Sequence, residues 1–311
     1  MQTLKETNFR PNVKRGKVRD VYEGKDNALV IVTTDRISAY DCILNQQVPY
    51  KGQCLNRSSV FSFDDSMNMD ISVNALVATP HPNITVMENC QAYPVEVVIR
   101  GYLSGSAWRG YMKGRRKFFD TTLPEGLRQN QNLMEVIGGP LHTPTTKADI
   151  GKHDEDLTQE DVETLVGKPT WRAMRDIGAQ LFLRANELAG FHGYAEADTK
   201  YEFGKSRERS GILLIDEANT HDSSRFFRLD SYQERFEAGQ DLNWIDKEYV
   251  RAYLASIGFR GDGPVPDLPQ EIIDGASERL LESVYAISGQ RFAPREPNEE
   301  EIREAAEFWL K

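Results

Sequence analysis

The chain has 311 residues, of which 39% are hydrophobic and 28% are charged, and its formal net charge is −10. This composition is typical of a soluble globular protein and unlike that of a disordered or membrane-embedded chain. The acidic balance argues against non-specific binding of nucleic acid, which depends on Lys and Arg side chains that neutralise phosphates. We therefore expect small-molecule partners, and neither nucleic acid nor a membrane.

The chain contains three cysteines, Cys42, Cys54 and Cys90, without a CxxC pair. Their odd number predicts reduced thiols in a cytoplasmic protein, with neither a disulfide framework nor a structural zinc site. The first residues lack the apolar segment of a secretory signal. The apolar runs at 28–32 and 212–215 are too short to cross a bilayer.

The first third of the chain is rich in strand patterns. Residues 16–22 alternate polar and apolar side chains after Gly16, which predicts a glycine turn followed by the first arm of a hairpin. Short runs rich in β-branched residues, at 28–34 and 95–100, predict two further strands. We therefore expect a β-rich N-terminal lobe.

The middle and the end of the chain favour helices. Glycines and prolines make 121–151 a loop region. Thr158 and Asp161 resemble a capping pair for a helix that ends at Gly167, and a second helix is predicted from Thr170 to Leu188 with Gly190 as its stop. Strand patterns return at 197–203 and 211–215, and helices are predicted at 247–257, 270–288 and 299–310.

This order of elements predicts an α+β fold, because the regular βαβ alternation of a doubly wound sheet is absent. We divide the chain into three parts. They are a β-rich lobe (1–110), an α+β nucleotide and substrate lobe (111–245) and a C-terminal helical segment packed on the core (246–311).

A first candidate site lies at Gly16, Lys17 and Arg19. A glycine lets backbone N–H groups approach phosphate oxygens, and a neighbouring Lys supplies positive charge. The spacing is not that of a GxxxxGK[ST] loop. Taken alone, the segment also fits an exposed basic hairpin.

Two further polar segments follow predicted strands, where functional loops are common. Asp35, Ser38 and Asp41 cluster within eight residues, although a solvated turn would show the same pattern. Arg100 leads into a Gly- and Ser-rich turn that contains Ser106. A guanidinium can grip a phosphate or carboxylate with two hydrogen bonds, while the alternative is a structural bend.

A long polar loop at 143–155 contains Lys147 and Asp154 as candidate functional residues. Such a loop in a compact protein is usually either functional or disordered. His153 lies next to two acidic residues, which fits a hydrogen-bonding group better than a metal ligand.

Asp198, Lys200 and Glu202 alternate along a predicted strand and share one face of it. The next apolar strand runs directly into Asp216, where an unpaired carboxylate would be costly to bury. A Mg²⁺ ion would offset that cost, since Mg²⁺ is usually held by one or two carboxylates and substrate phosphates. Paired surface charges and a strand exit with a salt bridge are the structural alternatives.

Taken in order, these segments resemble the successive signatures of the SAICAR synthetases, from Gly16 to Phe227: GKVRDVY, TDRISAYD, VVIRGYLSGSAW, TPTTKADIGKHDE, ADTKYEFG and LLIDEANTHDSSRFF. The resemblance implies a β-rich ATP lobe packed on an ATP-grasp-like α+β lobe with C-terminal helices. It also implies a ligase that uses ATP and Mg²⁺ to condense carboxyaminoimidazole ribonucleotide with L-aspartate, giving SAICAR, ADP and phosphate in purine biosynthesis. The family's larger form, which this chain matches in length, implies a monomer.

The resemblance also implies roles for individual residues. Those expected at ATP and Mg²⁺ are Gly16, Lys17, Arg19, Glu202 and Asp216, with Glu202 and Asp216 as metal ligands. Those expected at the substrates are Arg100, Ser106, Ser224, Arg225, Asp35, Ser38 and Asp41. Those expected to be catalytic are Lys200, Lys147, Asp198 and Asp154, the last two being candidates for the base that deprotonates the amine.

The chain departs from the family pattern at four places. His221 replaces a usual Pro, Ala218-Asn219 replaces a more apolar pair, Glu196 replaces an apolar residue, and Ala107 replaces a common Gly. These departures leave open a paralogue that binds ATP and a phosphoribosyl ligand with another amine acceptor or without turnover. A kinase-like phosphotransferase is disfavoured, because no HRD-like or DFG-like motif is present.

Overall fold

The N-terminal part of the chain forms an antiparallel sheet flanked by a hairpin and a long helix. The computed structural model describes residues 2–147 and 155–311. The elements of this part are β1 (Lys14–Arg15), β2 (Arg19–Glu23), β3 (Ala28–Thr33), β4 (Arg36–Ala39), β5 (Cys42–Gln47), α1 (Lys51–Asn68), β6 (Leu76–His81) and β7 (Ile84–Glu88). The sheet has the strand order β1-β2-β3-β7-β6, and β4 pairs with β5 as a separate hairpin.

The central part forms a second sheet around one long strand. Its elements are β8 (Gln91–Arg100), α2 (Gly105–Met112), β9 (Lys117–Phe118), β10 (Thr121–Thr122), α3 (Leu133–Ile137), β11 (Leu141–His142), β12 (Thr145–Thr146), α4 (Gln159–Val166), α5 (Lys168–Phe191), β13 (Tyr194–Lys205), β14 (Ile212–Ile215) and β15 (Ser224–Arg228). Strand β13 pairs with β8, β14 and β15, and it is therefore the centre of this sheet.

The C-terminal part is helical and packs back on both earlier parts. Its elements are α6 (Tyr232–Glu237), α7 (Glu248–Ser256), α8 (Gln270–Ser288) and α9 (Glu299–Glu307). Helices α7 and α8 share an apolar cluster with the β4–β5 hairpin, which includes Ile37, Leu44, Val250 and Leu254. Helix α9 buries Ile302 among the apolar residues of the first sheet.

The predicted α+β fold is confirmed, since all pairings between the named strands of the described residues are antiparallel. The predicted capping pair is also present, because Thr158 and Asp161 each hydrogen-bond to the other's backbone. The predicted stop of the next helix at Gly190 is wrong, and α5 continues to Phe191. The chain leaves the helix at Gly193, whose left-handed φ of 88° costs a glycine little.

The sequence did not predict four of the described helices, which are α1, α2, α3 and α6. Helix α1 has no regular apolar stripe and buries Lys, Gln, Asn and Ser side chains along with its apolar ones. Helix α2 begins directly after Ser104, where we expected only a Gly- and Ser-rich turn. The division at residues 110 and 245 stays a prediction.

Cysteines Cys42, Cys54 and Cys90 are all free, as their odd number and spacing predicted. Among the described residues, no helix is both long and apolar enough to span a membrane.

Candidate active site

The predicted glycine loop is the turn between β1 and β2. The amide of Gly16 donates to the carbonyl oxygen of Arg19 at 2.8 Å and so closes the turn. The guanidinium of Arg36 donates to the carbonyl oxygens of Gly16 and Lys17, both at 3.2 Å, and to the carboxylate of Asp20 at 2.9 Å. Because Arg36 and Asp20 are buried, they fix the loop from the protein interior, a role that the sequence did not predict for either residue.

A cleft of about 390 Å³ lies beside this loop and has an apolar and a charged wall. The apolar wall is formed by Val21, Leu29, Ile31, Ala75, Met87, Ala92 and Ile215. The charged wall is formed by Lys14, Arg15, Glu88, Lys147, Glu202 and Asp216, and the remaining lining residues are Gly16, Asn89 and Cys90. An apolar slot that ends at charged groups suits a flat ring joined to phosphates. Another cleft, between α1 and the β6–β7 hairpin, contains none of the predicted site residues.

The two predicted metal ligands are brought together by the pairing of β13 with β14. Glu202 lies opposite Ile215 in the register of these strands, and Asp216 follows Ile215 directly. The backbone of Asp216 is left-handed, with φ of 65°, where the chain turns out of the strand. Its carboxylate accepts a hydrogen bond from Arg19 at 2.6 Å, so the turn after β14 is tied to the glycine loop.

Lysine side chains neutralise these carboxylates. Lys200 donates to Glu202 at 2.6 Å and to Glu96 at 2.7 Å, while Lys147 donates to the other oxygen of Glu202. Burial alone would lower the pKa of Lys200, but Glu202 and Glu96 raise it above its ordinary value. Burial alone would raise the pKa of Asp216, but Arg19 and, after it, Lys200 and Lys147 lower it. Lys200 and Asp216 therefore stay charged at neutral pH.

A second cluster lies on the same strand, four residues away from Glu202. Asp198 is opposite Arg100 of β8 and Arg225 of β15 in the two registers. Arg100 donates to Asp198 at 2.8 Å and to the hydroxyl of Ser106 at 3.0 Å. Arg225 donates to the other oxygen of Asp198 at 2.9 Å and to the hydroxyl of Ser104 at 2.9 Å.

The charge balance of this cluster favours an anion. Burial alone would raise the pKa of Asp198, but Arg225 and Arg100 lower it, so the carboxylate is ionised. Two guanidinium groups then share one carboxylate, so the cluster of Arg100, Asp198 and Arg225 has a net positive charge. Guanidinium groups with free N–H donors and neighbouring hydroxyls suit a phosphate or a carboxylate.

A family model described as SAICAR synthetase matches residues 12–265 of this chain. The chain belongs to the SAICAR synthetase family. Over 300 residues it is 42% identical to the phosphoribosylaminoimidazole-succinocarboxamide synthase of Bacteroides fragilis, a match that covers 94% of this chain and 93% of the relative.

Solved structures of the family agree with this assignment. The SAICAR synthase from Saccharomyces cerevisiae, complexed with SAICAR, has a TM-score of 0.80 at 30% identity, covering 94% of this chain and 99% of that one. A type-2 SAICAR synthetase in complex with ADP has a TM-score of 0.65 at 20% identity, covering 91% of this chain and 100% of that one, which supports the fold alone. The predicted family and the predicted class of enzyme, an ATP-dependent ligase of purine biosynthesis, are confirmed.

Glu202 and Asp216 fit the Mg²⁺ ion that the SAICAR synthetase resemblance implies, but only together with a substrate. Within residues 2–147 and 155–311, no group of three or more His, Cys, Asp or Glu side chains is placed to hold a metal ion. Both carboxylates line the cleft, and Mg²⁺ is commonly held by one or two carboxylates plus phosphate oxygens.

Two predicted substrate residues of the Asp35–Asp41 segment are occupied within the protein. The carboxylate of Asp35 accepts the amides of Gly52 and Leu4 at 2.9 and 2.8 Å, and burial raises its pKa. Ser38 is buried in β4. Asp35 therefore joins the start of α1 to the N-terminal segment, instead of facing the cleft.

The remaining predicted residues differ in their surroundings. Asp41 forms an ion pair with Lys17 of the glycine loop. The hydroxyl of Ser224 is buried and lies 2.7 Å from that of Thr199. Asp154 lies outside the described residues.

A buried charge cluster beside the site was missed by the sequence analysis. Lys51, at the start of α1, is fully buried and donates to Asp222 at 2.8 Å. Lys247, just before α7, lies 3.2 Å from the other oxygen of Asp222. Burial alone would raise the pKa of Asp222, but Lys247 and Lys51 lower it well below its usual range. The cluster joins α1, α7 and the loop before β15, three segments whose proximity no local pattern indicates.

Proposed function

We propose that this chain condenses 5-amino-1-(5-phospho-D-ribosyl)imidazole-4-carboxylate with L-aspartate to give SAICAR, with ATP converted to ADP and phosphate, in the synthesis of IMP. The observation that carries the proposal is the arrangement of β13. One end of the strand has Asp198 between two arginines, and four residues further on Glu202 lines the cleft and accepts a hydrogen bond from Lys200. Four residues of strand span about 13 Å, which gives a phosphorylated substrate room to reach from one cluster to the other.

ATP would lie in the cleft beside the glycine loop. Its adenine would contact the apolar wall, and its phosphates would meet Gly16, Lys17 and Arg19. Arg19 already pairs with Asp216 at 2.6 Å, so it stands next to the carboxylates proposed for the metal.

Mg²⁺ would be held by Glu202 and Asp216 together with the phosphates of ATP. The ion would neutralise charge on the transferring phosphoryl group. Lys147 and Lys200, which now neutralise Glu202, would be released in part towards phosphate oxygens. Their ammonium groups would then stabilise negative charge that develops during transfer.

The 5′-phosphate of the ribonucleotide would bind at Arg100, Ser106 and Arg225. The two guanidinium groups are fixed by their shared contact with Asp198, so little side-chain freedom is lost on binding. The SAICAR complex of the yeast enzyme, 30% identical to this chain, supports a ligand of this class. Asp35, Ser38 and Ser224 would support the site from within rather than contact substrate.

The chemistry would proceed in two steps. An oxygen of the substrate carboxylate attacks the γ-phosphorus of ATP, ADP leaves, and an acyl phosphate forms. The amine of aspartate then attacks the acyl carbon, phosphate leaves and the amide nitrogen loses a proton. Asp198 and Asp154 are the candidates to accept that proton. Asp198 is ionised, as a base must be, but it is also held by two arginines.

The direct test is an assay with ATP, Mg²⁺, the carboxylated ribonucleotide and aspartate. We expect release of ADP and formation of the succinocarboxamide, both dependent on aspartate. ADP release without aspartate, and without an amide product, would contradict the proposal. Replacing aspartate with other amino acids tests whether the departures at Glu196, Asn219 and His221 accompany another amine acceptor.

Two expectations about the whole protein belong to the same proposal. A cytoplasmic location is supported by the three free cysteines, because oxidising compartments favour disulfides. A monomer is expected from the family resemblance, and light scattering coupled to size-exclusion chromatography measures it directly.

A further inference from the structure

Two buried polar side chains meet beneath the Asp198–Arg225 pair. Glu196 in β13 is 0% exposed and Asn219 is 3% exposed. The side-chain amide of Asn219 donates to one carboxyl oxygen of Glu196 at 3.3 Å, and the hydroxyl of Tyr201 donates to the side-chain oxygen of Asn219 at 3.2 Å. Glu196 stands where the family pattern usually has an apolar residue, and Asn219 belongs to the Ala218-Asn219 pair, which replaces a more apolar pair. The structure thus joins two separate departures in one contact.

The carboxyl group of Glu196 is only partly satisfied. Its second oxygen has no hydrogen-bond partner within the described part of the chain. Burial raises the pKa of Glu196 to about 8, against the opposing effects of Ser224, Thr199 and Asn219. A carboxyl group that keeps its proton at neutral pH is a hydrogen-bond donor as well as an acceptor, so it can donate to the neighbouring hydroxyls.

Those hydroxyls belong to the residues next to the anion-binding cluster. Thr199 and Ser224 lie 2.7 Å apart and face each other across β13 and β15. Thr199 directly follows Asp198 in the chain, and Ser224 directly precedes Arg225. A change in this hydroxyl pair would therefore move the two residues that carry the charges.

The pairing of β13 with β15 is irregular at the same point. The register between β13 and β15 shifts between Glu196 and Asp198, as expected for a β-bulge. A bulge re-aims the side chains that follow it. Here the shift leaves Glu196 in the protein interior and places Asp198 opposite Arg225.

We propose that Glu196 and Asn219 act together as positioning residues that hold this bulge and thereby set Asp198 and Arg225 for the ribonucleotide phosphate. This inference rests on the proposed function of the site. Neither side chain touches substrate. Loss of one leaves the other buried without its partner, which is costly, whereas loss of both removes the need for the contact.

The test is a double-substitution cycle with Glu196→Ile, Asn219→Leu and their combination, which replaces the polar contact with an apolar one. We expect each single variant to raise the KM for the ribonucleotide about 10-fold, and the double variant to return it to within about 3-fold of wild type. The KM for ATP should stay unchanged in all three, and kcat should change far less than the ribonucleotide KM. Glu196→Gln should behave like wild type, because an amide replaces a protonated carboxyl group.

A matched control is Ser66→Ala, which removes a buried hydroxyl that donates to the carbonyl oxygen of Phe63 within α1. We expect it to lower Tm and leave both KM values unchanged. Additive KM effects in the double variant, a Glu196→Gln that matches Glu196→Ile, or equal rises in both KM values would overturn the positioning role. Wild-type protein without aspartate-dependent turnover would instead overturn the proposed function.

Discussion

Charged residues of the site form ion pairs, so replacing one residue also leaves its partner without that contact. Asp216 illustrates this, because its carboxylate accepts a hydrogen bond from Arg19, which also contacts Glu217. If Asp216 holds Mg²⁺, Asp216→Asn should lower turnover at least ~100-fold, the scale of a lost electrostatic contact in a transition state. The variant keeps the size of the side chain and removes its charge. Steady-state kinetics at saturating ATP and Mg²⁺ measure the effect.

A matched control for this change is Asp65→Asn. Asp65 of α1 also accepts hydrogen bonds from an arginine, Arg184 of α5, but it does not line the cleft. We expect its kinetic constants to remain those of wild type. Equal activity of the Asp216→Asn variant and wild type would rule out the metal role.

Arg225 offers a test of geometry at constant charge. Its guanidinium contacts both oxygens of Asp198 and the hydroxyl of Ser104 at the same time. A lysine has no planar fork, so Arg225→Lys should raise the KM for the ribonucleotide more than it lowers kcat. Arg228→Lys is the control, since Arg228 lies in the same strand and pairs only with the surface residue Glu282 in the described structure. A rise in the ATP KM alone would contradict the assignment.

Glu196 predicts a pH dependence of stability. Its pKa rises from 4.5 in the unfolded chain to about 8 in the folded protein. Above pH 4.5 the unfolded chain loses a proton that the folded protein keeps, so Glu196 stabilises the fold less as pH rises to about 8. Glu196→Gln removes this effect. The free energy of unfolding of the variant, relative to that of wild type, should therefore rise by about 3 kcal/mol between pH 4.5 and 7.

Urea unfolding of both proteins at several pH values measures that difference. Asp246 has a pKa that burial raises to about 8 as well, but it is present in both proteins and cancels. Parallel pH profiles of the two proteins would show that the carboxyl group of Glu196 does not titrate as described.

Residue types in the sequence predicted which side chains could serve chemistry, but not which way they point. Arg100 and Ser106 were expected at one site, and they are in contact at 3.0 Å. Asp35 looked equally functional, yet both its oxygens accept backbone amides. The difference arises from contacts with Leu4 and Gly52, which lie 31 and 17 residues away in the chain.

At the scale of elements, helices were predicted correctly where their buried apolar residues recur at a regular spacing. The helix at 270–288 was predicted with its observed bounds, because its apolar residues recur at helical spacing. Helix α1 was missed because its buried side includes Lys51, Gln53, Asn56, Ser58 and Ser59. These polar residues are buried by partners elsewhere in the protein, and therefore no apolar stripe marks the helix.

Helix α5 and the central sheet are packed closely through one glycine, and this contact is testable. A Cβ atom at Gly178 would lie 3.0 Å from Ile99 and 3.1 Å from Val97 of β8. Gly178→Leu should therefore lower the free energy of unfolding by about 2 kcal/mol or more, despite the higher helix propensity of leucine. Gly190→Leu is the control in the same helix, because Gly190 has no neighbour within 4 Å of such an atom. Chemical denaturation should show a loss only for the first variant, and equal stabilities would contradict the packing argument.

At the scale of the whole molecule, the C-terminal part completes structures that begin near the N-terminus. The carbonyl oxygen of Trp309 accepts the amide of Lys25, and Leu310 packs against the first sheet. Lys247 reaches the same carboxylate as Lys51. Such contacts between distant segments leave no local signature, and the sequence therefore did not predict them.

The charge balance of the whole site predicts what removal of Mg²⁺ does. Lys147 and Lys200 neutralise Glu202, and Arg19 neutralises Asp216, so the nucleotide-free fold does not need a cation to balance these carboxylates. EDTA should therefore abolish turnover while leaving the Tm of the nucleotide-free protein unchanged, and added Mg²⁺ should restore activity. ATP should raise Tm more with Mg²⁺ than with EDTA, because a ligand stabilises the folded state in proportion to its affinity. A fall in the Tm of nucleotide-free protein on chelation would show instead that a metal ion supports the fold.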